Sequence, residues 1–219
     1  MCAPICPLCS SARCRYLYRS DDRHGVRVFW ECEECDLAFV PPEFHLPESA
    51  EIERYLMHEN DPSDIGYRRF LSRLWDVLKP RLSKGSAGLD FGCGPGPALA
   101  QMMQEDGFEV SLYDPYFFPD TSSLDRRYDF VTCTETAEHL RTPFATFELI
   151  GSLLAQGGQL GVMTGMLEDR SGFRSWYYQR DPTHIAFYTK RTMEWLGEAM
   201  GWDVEFPASN VTIFHKIIL

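Results

Sequence analysis

Beyond residue 66, the chain alternates short apolar runs with segments whose apolar residues recur every three or four positions. The apolar runs are typical of buried parallel strands and lie at 87–91, 109–113, 128–134 and 159–164. The periodic segments predict helices at 67–82, 97–106, 143–155 and 189–200. Two final apolar segments predict a closing strand hairpin, its last strand antiparallel at the sheet edge, at 202–206 and 211–219. This order predicts an α/β fold with a mostly parallel sheet and helices on both faces.

The first 66 residues have a different pattern. Residues 15–18 and 26–30 fit two strands joined by a polar turn. Residues 41–48, PPEFHLPE, are too rich in proline to hold a helix and predict a linker, and a lead-in helix is predicted at 48–59. We therefore expect three parts: a small β-rich module, a linker with a lead-in helix, and the α/β domain, at 1–40, 41–66 and 67–219.

Length and charge limit the classes of function. The 219 residues suffice for one α/β core with a small appendage. The net charge of −11 argues against strong binding to nucleic acid and against docking on an anionic membrane. No apolar run approaches the roughly 20 residues of a membrane span, and the first residues do not resemble a signal peptide. These features predict a soluble cytoplasmic protein.

Six of the eight cysteines lie in the first 35 residues. Four of them form two Cys-x-x-Cys pairs with 22 residues between the pairs: Cys6, Cys9, Cys32 and Cys35. A two-residue gap lets both thiolates of a pair face one ion, and two pairs complete the tetrahedral four-sulfur site that zinc favours. The segment 4–40 thus resembles a zinc ribbon, with a structural zinc ion or a role in docking a protein partner. A redox Cys-x-x-Cys pair is the alternative, and Cys2 and Cys14 lie outside the pattern.

A glycine-rich turn follows the first predicted strand of the α/β domain. The stretch 89–100, LDFGCGPGPALA, places Gly92, Gly94 and Gly96 before a predicted helix, and the next predicted strand ends in Asp114. This strand, turn, helix and strand make a nucleotide-binding unit in which the terminal acid is placed to accept hydrogen bonds from a ribose diol. The glycine spacing differs from those of both phosphate-binding motifs, and no lysine follows it.

The run from Asp90 to Gly96 resembles motif I of the class I methyltransferases that use S-adenosylmethionine (SAM), and the resemblance extends over 67–219. The segment 135–139, ETAEH, is similar to the E-x-x-E-H segment that many of these enzymes carry after the fourth strand. The resemblance implies a Rossmann-like sheet and a SAM site that includes Asp90, Gly92, Cys93, Gly94, Gly96, Asp114 and Glu135. One departure is that only 13 residues separate Asp114 from Tyr128, so the third strand of the family is expected to be very short or missing.

Candidate residues for the chemistry follow the fourth and fifth strands. His139 and His184 are the candidate catalytic groups, as a base or as groups that bind the acceptor, although a structural hydrogen bond would also explain either one. The long segment after the fifth strand has aromatic and arginine residues suited to an acceptor, and from it we select Trp176, Tyr177, Tyr178 and Arg180.

The sequence therefore predicts a SAM-dependent methyltransferase acting on a small molecule at O, N or C. Two alternatives stay open. One is an RNA methyltransferase that uses the ribbon to bind RNA, and the other is a non-catalytic SAM-binding adaptor whose ribbon docks a protein partner.

Overall fold

The computed structural model describes residues 3–22, 24–57 and 60–217, which form two β-sheets and five α-helices within those ranges. The predicted lead-in helix and last strand extend into 58–59 and 218–219, and Cys2 lies in 1–2, so those parts fall outside the described residues. The helices are α1 (Glu48–Leu56), α2 (Ile65–Leu78), α3 (Ala98–Glu105), α4 (Pro143–Leu153) and α5 (Lys190–Met200). None of the helices in the described ranges is long and apolar enough to cross a membrane.

The smaller sheet has four antiparallel strands in the order β1, β2, β3, β8. They are β1 (Cys14–Asp22), β2 (Gly25–Cys32), β3 (Ala38–Phe39) and β8 (Ala186–Phe187). Strand β8 comes from the segment after the predicted strand at 159–164, and the sequence pattern did not predict its pairing with the cysteine-rich module. Phe39 pairs with Ala186, and the Val40 N–H donates to the Ile185 carbonyl at 2.8 Å. The cysteine-rich module and the predicted acceptor segment thus share one sheet.

The larger sheet has the strand order β5, β4, β6, β7, β10, β9. Its strands are β4 (Ala87–Phe91), β5 (Glu109–Tyr113), β6 (Tyr128–Thr134), β7 (Leu154–Met163), β9 (Trp202–Ala208) and β10 (Val211–Lys216). The first four run parallel, and β10 is antiparallel to both β7 and β9. The antiparallel direction of the last strand is confirmed. Its predicted place at the sheet edge was wrong, because β10 lies between β7 and β9, and β9 forms the edge.

Helices cover both faces of the larger sheet, as predicted. Because side chains alternate along a strand, Phe130 packs with α2 and α3, whereas Val131 packs with α4 and α5. Between Asp114 and Tyr128 the chain forms a turn closed by an isolated bridge from Asp114 to Phe118, and then a short 3-10 turn at 121–124. No strand of the sheet lies in this segment, which agrees with the prediction that the third strand of the family is very short or missing. Strand β5 is consequently an edge strand.

Replacing Gly88 on β4 with alanine is expected to destabilise the fold by about 1–3 kcal/mol, because a Cβ there would lie 2.1 Å from the ring of Phe130. Phe130 is fully buried and packs beside the rings of Trp75 and Phe108, so it has little room to move. Denaturant unfolding measures the effect. The matched control is Gly172→Ala, where the nearest atom would lie at 3.4 Å; equal stabilities of the two variants would contradict the prediction.

Candidate functional site

The glycine turn lies between two neighbouring segments that approach its backbone closely. Gly92 and Gly94 have φ angles of +72° and +65°, which side chains rarely allow. A Cβ on Gly92 would lie 2.3 Å from the Thr136 side chain, and one on Gly96 would lie 2.0 Å from the Asn60 carbonyl oxygen. The turn therefore needs glycine for its backbone conformation and for these close contacts.

Asp114 lies just past the end of β5 and faces the glycine turn. One carboxylate oxygen, Oδ2, accepts the Gly94 N–H at 3.0 Å. The other, Oδ1, accepts the N–H groups of Tyr116 and Phe117 at 2.9 and 3.1 Å. The side chain is only 7% exposed, and these bonds fix its orientation at the edge of the sheet. This is the position that the sequence predicts for a ribose-binding acid.

Asp90 is buried beneath the turn instead of facing outwards from it. Its Oδ1 accepts the Thr132 hydroxyl at 2.8 Å, and burial raises the pKa of its carboxyl group to about 6. The bond to Thr132 connects the base of the turn with β6. Cys93 in the turn is half-buried, and burial raises the pKa of its thiol.

A second group of side chains lies after β6, at the same edge of the sheet. The Glu138 carboxylate is fully buried and accepts the hydroxyl of Tyr178 at 2.5 Å and that of Thr164 at 2.7 Å. Glu135 has a φ of +48°, and burial together with the charge of Glu138 raises its pKa to about 9. The two glutamates of the E-x-x-E-H segment thus lie close to each other and to the Tyr178 hydroxyl.

The two predicted histidines come together beside Glu138, with their ring centroids 4.8 Å apart. His139 Nδ1 lies 3.0 Å from the Thr183 carbonyl oxygen, and His184 Nδ1 lies 2.7 Å from that of Tyr178. A carbonyl oxygen only accepts hydrogen bonds, so both Nδ1 atoms carry a proton, and Nε2 is the nitrogen of each ring that is left for other partners. Burial lowers the pKa of His184 to about 4, which keeps this ring neutral at neutral pH.

An aromatic path connects Asp114 with this histidine pair. The Tyr55 ring on α1 packs against Tyr116 at 6.0 Å and against His139 at 5.2 Å between centroids. Tyr116 in turn donates its N–H to Asp114. The rings of Tyr55 and Tyr116 therefore connect Asp114 with the two histidines at the carboxyl ends of the strands, where open α/β sheets bind their ligands.

A model of the family described as methyltransferase domain matches residues 63–205, about two thirds of the chain. The chain belongs to the class I SAM-dependent methyltransferases. No curated protein shows significant sequence similarity to it.

Solved structures of low sequence identity share the fold of this methyltransferase. A SAM-dependent methyltransferase from Aquifex aeolicus aligns with a TM-score of 0.52 and 18% identity, over 80% of this chain and 100% of the other. DesVI from Streptomyces venezuelae aligns with a TM-score of 0.50 and 15% identity, over 79% and 100%. A SAM-dependent methyltransferase from Archaeoglobus fulgidus aligns with a TM-score of 0.50 and 22% identity, over 63% and 71%.

The four residues predicted to bind the acceptor of this methyltransferase lie in different surroundings. Tyr178 is buried against His184, with ring centroids 4.2 Å apart. Trp176 is half-buried and packs on Tyr178 and on Phe187 of β8. Tyr177 is 73% exposed, and Arg180 is exposed. The structure thus brings Tyr178 to the histidine pair and leaves Tyr177 and Arg180 at the surface.

Asp181 is a residue of the site that the sequence analysis did not select. Its carboxylate accepts hydrogen bonds from Nε and Nη2 of Arg54 at 3.0 and 2.7 Å. It also accepts hydrogen bonds from the N–H and the hydroxyl of Thr183 at 3.0 and 2.6 Å. Since the Thr183 carbonyl holds His139, Asp181 fixes that histidine indirectly. The stretch 181–184, Asp-Pro-Thr-His, contained a signal for this role. An aspartate typically caps a turn by accepting the backbone N–H of the residue two positions later.

The four predicted zinc ligands lie together in the cysteine-rich module. The Sγ atoms of Cys6 and Cys35 are 3.5 Å apart, those of Cys9 and Cys32 are 3.4 Å apart, and all four lie within 4.8 Å of one another. Sulfurs around a tetrahedral zinc ion with bonds of about 2.3 Å are roughly 3.8 Å apart, so the set fits zinc. The fifth thiol nearby, on Cys14, is directed towards the Ser11 carbonyl at 3.6 Å.

The electrostatics of the four thiols also favour a cation. The Cys35 thiol donates to Cys6, which lowers the pKa of Cys6 to about 6. Burial raises the pKa of Cys9 to about 12, and the nearby charge of Cys6 raises it further. One thiolate therefore forms easily, and its negative charge opposes deprotonation of the neighbouring thiol. A bound divalent cation would offset the repulsion between the thiolates.

Proposed function

We propose that this methyltransferase transfers the methyl group of SAM to a small-molecule acceptor held beside His139 and His184. The observation that carries the proposal is the placement of this histidine pair and Asp114 in one site, joined through Tyr55 and Tyr116. Each ring bonds a carbonyl through Nδ1 and leaves Nε2 for other partners, which suits an acceptor with an O–H or N–H group.

The glycine turn and Asp114 would hold the cofactor. The backbone of Gly92 to Gly96 admits a close approach, and the Asp114 carboxylate has lone pairs for the two ribose hydroxyls in addition to the bonds it already accepts. When bound, SAM supplies a methyl group activated by its sulfonium. The protein's main contribution is then to hold the nucleophile in line with that group.

The histidine pair and its neighbours would orient the acceptor. His184 stays neutral at neutral pH and is a weak base, so it suits holding the acceptor's proton better than removing it early. The rings of Tyr55 and Tyr178 flank the pair. The adjacent Glu138 carboxylate disfavours an anionic acceptor, which points to a neutral or cationic molecule.

We further propose that the cysteine-rich module binds one structural zinc ion and forms one wall of the acceptor site. Three connections support this role. Strand β3 pairs with β8, the buried Arg27 donates to the Asp181 carbonyl at 2.9 Å, and the Thr189 hydroxyl donates to Asp36 at 2.8 Å. All three connect the module with the segment that carries His184.

Labelled SAM tests the acceptor class. We expect methyl transfer to small phenols, alcohols or amines, and a loss of at least about tenfold in rate for His184→Gln, because a misplacement of the acceptor by about 1 Å can cost about 10²-fold in rate. The matched control is His45→Gln, since His45 Nε2 bonds the Val40 carbonyl and neither of the two histidines. Transfer to RNA alone would contradict the small-molecule proposal, and SAM binding without transfer to any class would support the adaptor.

A further inference from the structure

Three side chains at the acceptor end of the site have the composition of a metal centre. A carboxylate oxygen of Glu138 and one ring nitrogen each of His139 and His184 all lie within 4.8 Å of one another. His139 Nε2 is 3.9 Å from Glu138 Oε1. Ligand atoms around an octahedral ion with bonds of about 2.1 Å are roughly 3 to 4.2 Å apart, so a small contraction would bring these three onto one ion.

Hydrogen bonds from neighbouring groups orient these three side chains, as hydrogen bonds typically orient the ligands of a metal ion. Each histidine donates its Nδ1 proton to a backbone carbonyl, which fixes the tautomer and leaves Nε2 able to coordinate. The Glu138 carboxylate receives one hydroxyl on each oxygen, from Tyr178 and Thr164. These bonds hold the carboxylate in place and leave further lone pairs on both oxygens.

We propose that Glu138, His139 and His184 bind one divalent transition-metal ion, distinct from the zinc proposed for the four cysteines. Two imidazoles and one carboxylate favour Mn²⁺, Fe²⁺, Co²⁺ or Zn²⁺ over Ca²⁺ and Mg²⁺, which prefer oxygen ligands. Three protein ligands leave coordination positions for water or for an oxygen of the acceptor. The metal site follows from the three side chains alone, whereas its role towards an acceptor rests on the proposed function.

The ion would activate an acceptor oxygen. Coordination to a divalent cation lowers the pKa of a bound hydroxyl, as zinc lowers the pKa of water from about 15.7 to about 7, so the proton of the acceptor would pass to solvent water. The acceptor oxygen then attacks the methyl carbon of SAM, the new C–O bond forms as the C–S bond breaks, and the electron pair stays on sulfur. The proposal therefore selects an oxygen acceptor from the O, N and C classes.

Metal binding is tested on the full chain as purified, with its cysteine site filled. Elemental analysis counts the ions per chain, and titration with Mn²⁺ followed by electron paramagnetic resonance measures the affinity of any vacant site. We expect the wild type to carry a second ion, or to bind about one Mn²⁺ at least tenfold more tightly than Glu138→Gln and His184→Gln. His45→Gln should match the wild type.

A second measurement needs no variant. Spin-echo modulation of bound Mn²⁺ should show coupling to histidine nitrogen in the wild-type protein. Equal ion counts and Mn²⁺ affinities in all four proteins, or bound Mn²⁺ without nitrogen coupling, would overturn the metal site. SAM affinity, measured in parallel by calorimetry, should be unchanged in His45→Gln. Failure of SAM to bind even the wild type would instead count against the proposed function.

Discussion

Alanine at Asp114 is expected to weaken SAM binding by about 10- to 100-fold. The carboxylate would accept hydrogen bonds from the ribose, and a hydrogen bond to a charged group contributes about 1.5–3 kcal/mol. The same carboxylate anchors the Gly94, Tyr116 and Phe117 N–H groups, so its loss also loosens the turn that receives the cofactor. Calorimetric titration with SAM measures the effect directly.

The matched control is Asp120→Ala. Asp120 also caps a turn, because its carboxylate accepts hydrogen bonds from the N–H and the hydroxyl of Ser122. This turn, at 121–124, comes after the Asp114 turn that faces the glycines. We expect this variant to bind SAM as the wild type does. Equal affinities of the Asp114 and Asp120 variants would remove Asp114 from the cofactor site and with it the assignment of the glycine turn.

Serine at Cys35 is expected to remove the proposed ribbon zinc and to disorder the acceptor wall. Cys35 is fully buried among the four sulfurs, and a structural zinc site contributes about 10–16 kcal/mol to the folding of small modules. Because β3 pairs with β8, unfolding of the ribbon should break this pairing and expose the backbone groups around Phe39 and Ala186 to solvent. We expect the chain to lose about one zinc ion and amide exchange at 185–188 to rise at least tenfold.

Cys14→Ser is the control for this experiment. The Cys14 thiol lies near the cluster but is directed towards the Ser11 carbonyl, so its removal should leave the zinc content and the exchange rates unchanged. The Cys35 variant should still bind SAM within about twofold of the wild type while its transfer rate falls. Normal protection of 185–188 after loss of the zinc would show that the ribbon does not support the acceptor wall.

Much of the cofactor half of the site was predictable because its signals are local. The glycines and Asp114 lie within 25 residues, and the conformation of the turn depends on residues that follow one another along the chain. The proximity of the two Cys-x-x-Cys pairs was equally predictable from their spacing, and all four sulfurs lie within 4.8 Å of one another. The missing third strand followed from the count of residues between Asp114 and Tyr128.

The acceptor half was only partly predictable because its contacts join distant segments. The sequence selected His139 and His184 but could not show that they lie beside Glu138, or that Tyr178 and Thr164 hold that carboxylate. It selected Tyr177 as well as Tyr178. Which of the two rings is buried depends on the backbone conformation of the folded segment, and the sequence did not show this.

The sequence by itself therefore determined the α/β class, the position of the glycine turn, the acid after the second strand and the four-cysteine set. Each depends on hydrophobic period or on spacing within a few residues. Tertiary structure alone decided that β8 completes the ribbon sheet, that β9 lies outside β10, and that Asp181 receives Arg54 across 127 positions of the chain. Strand pairing and long-range ion pairs depend on how separate elements pack, and local patterns along the chain do not record that packing.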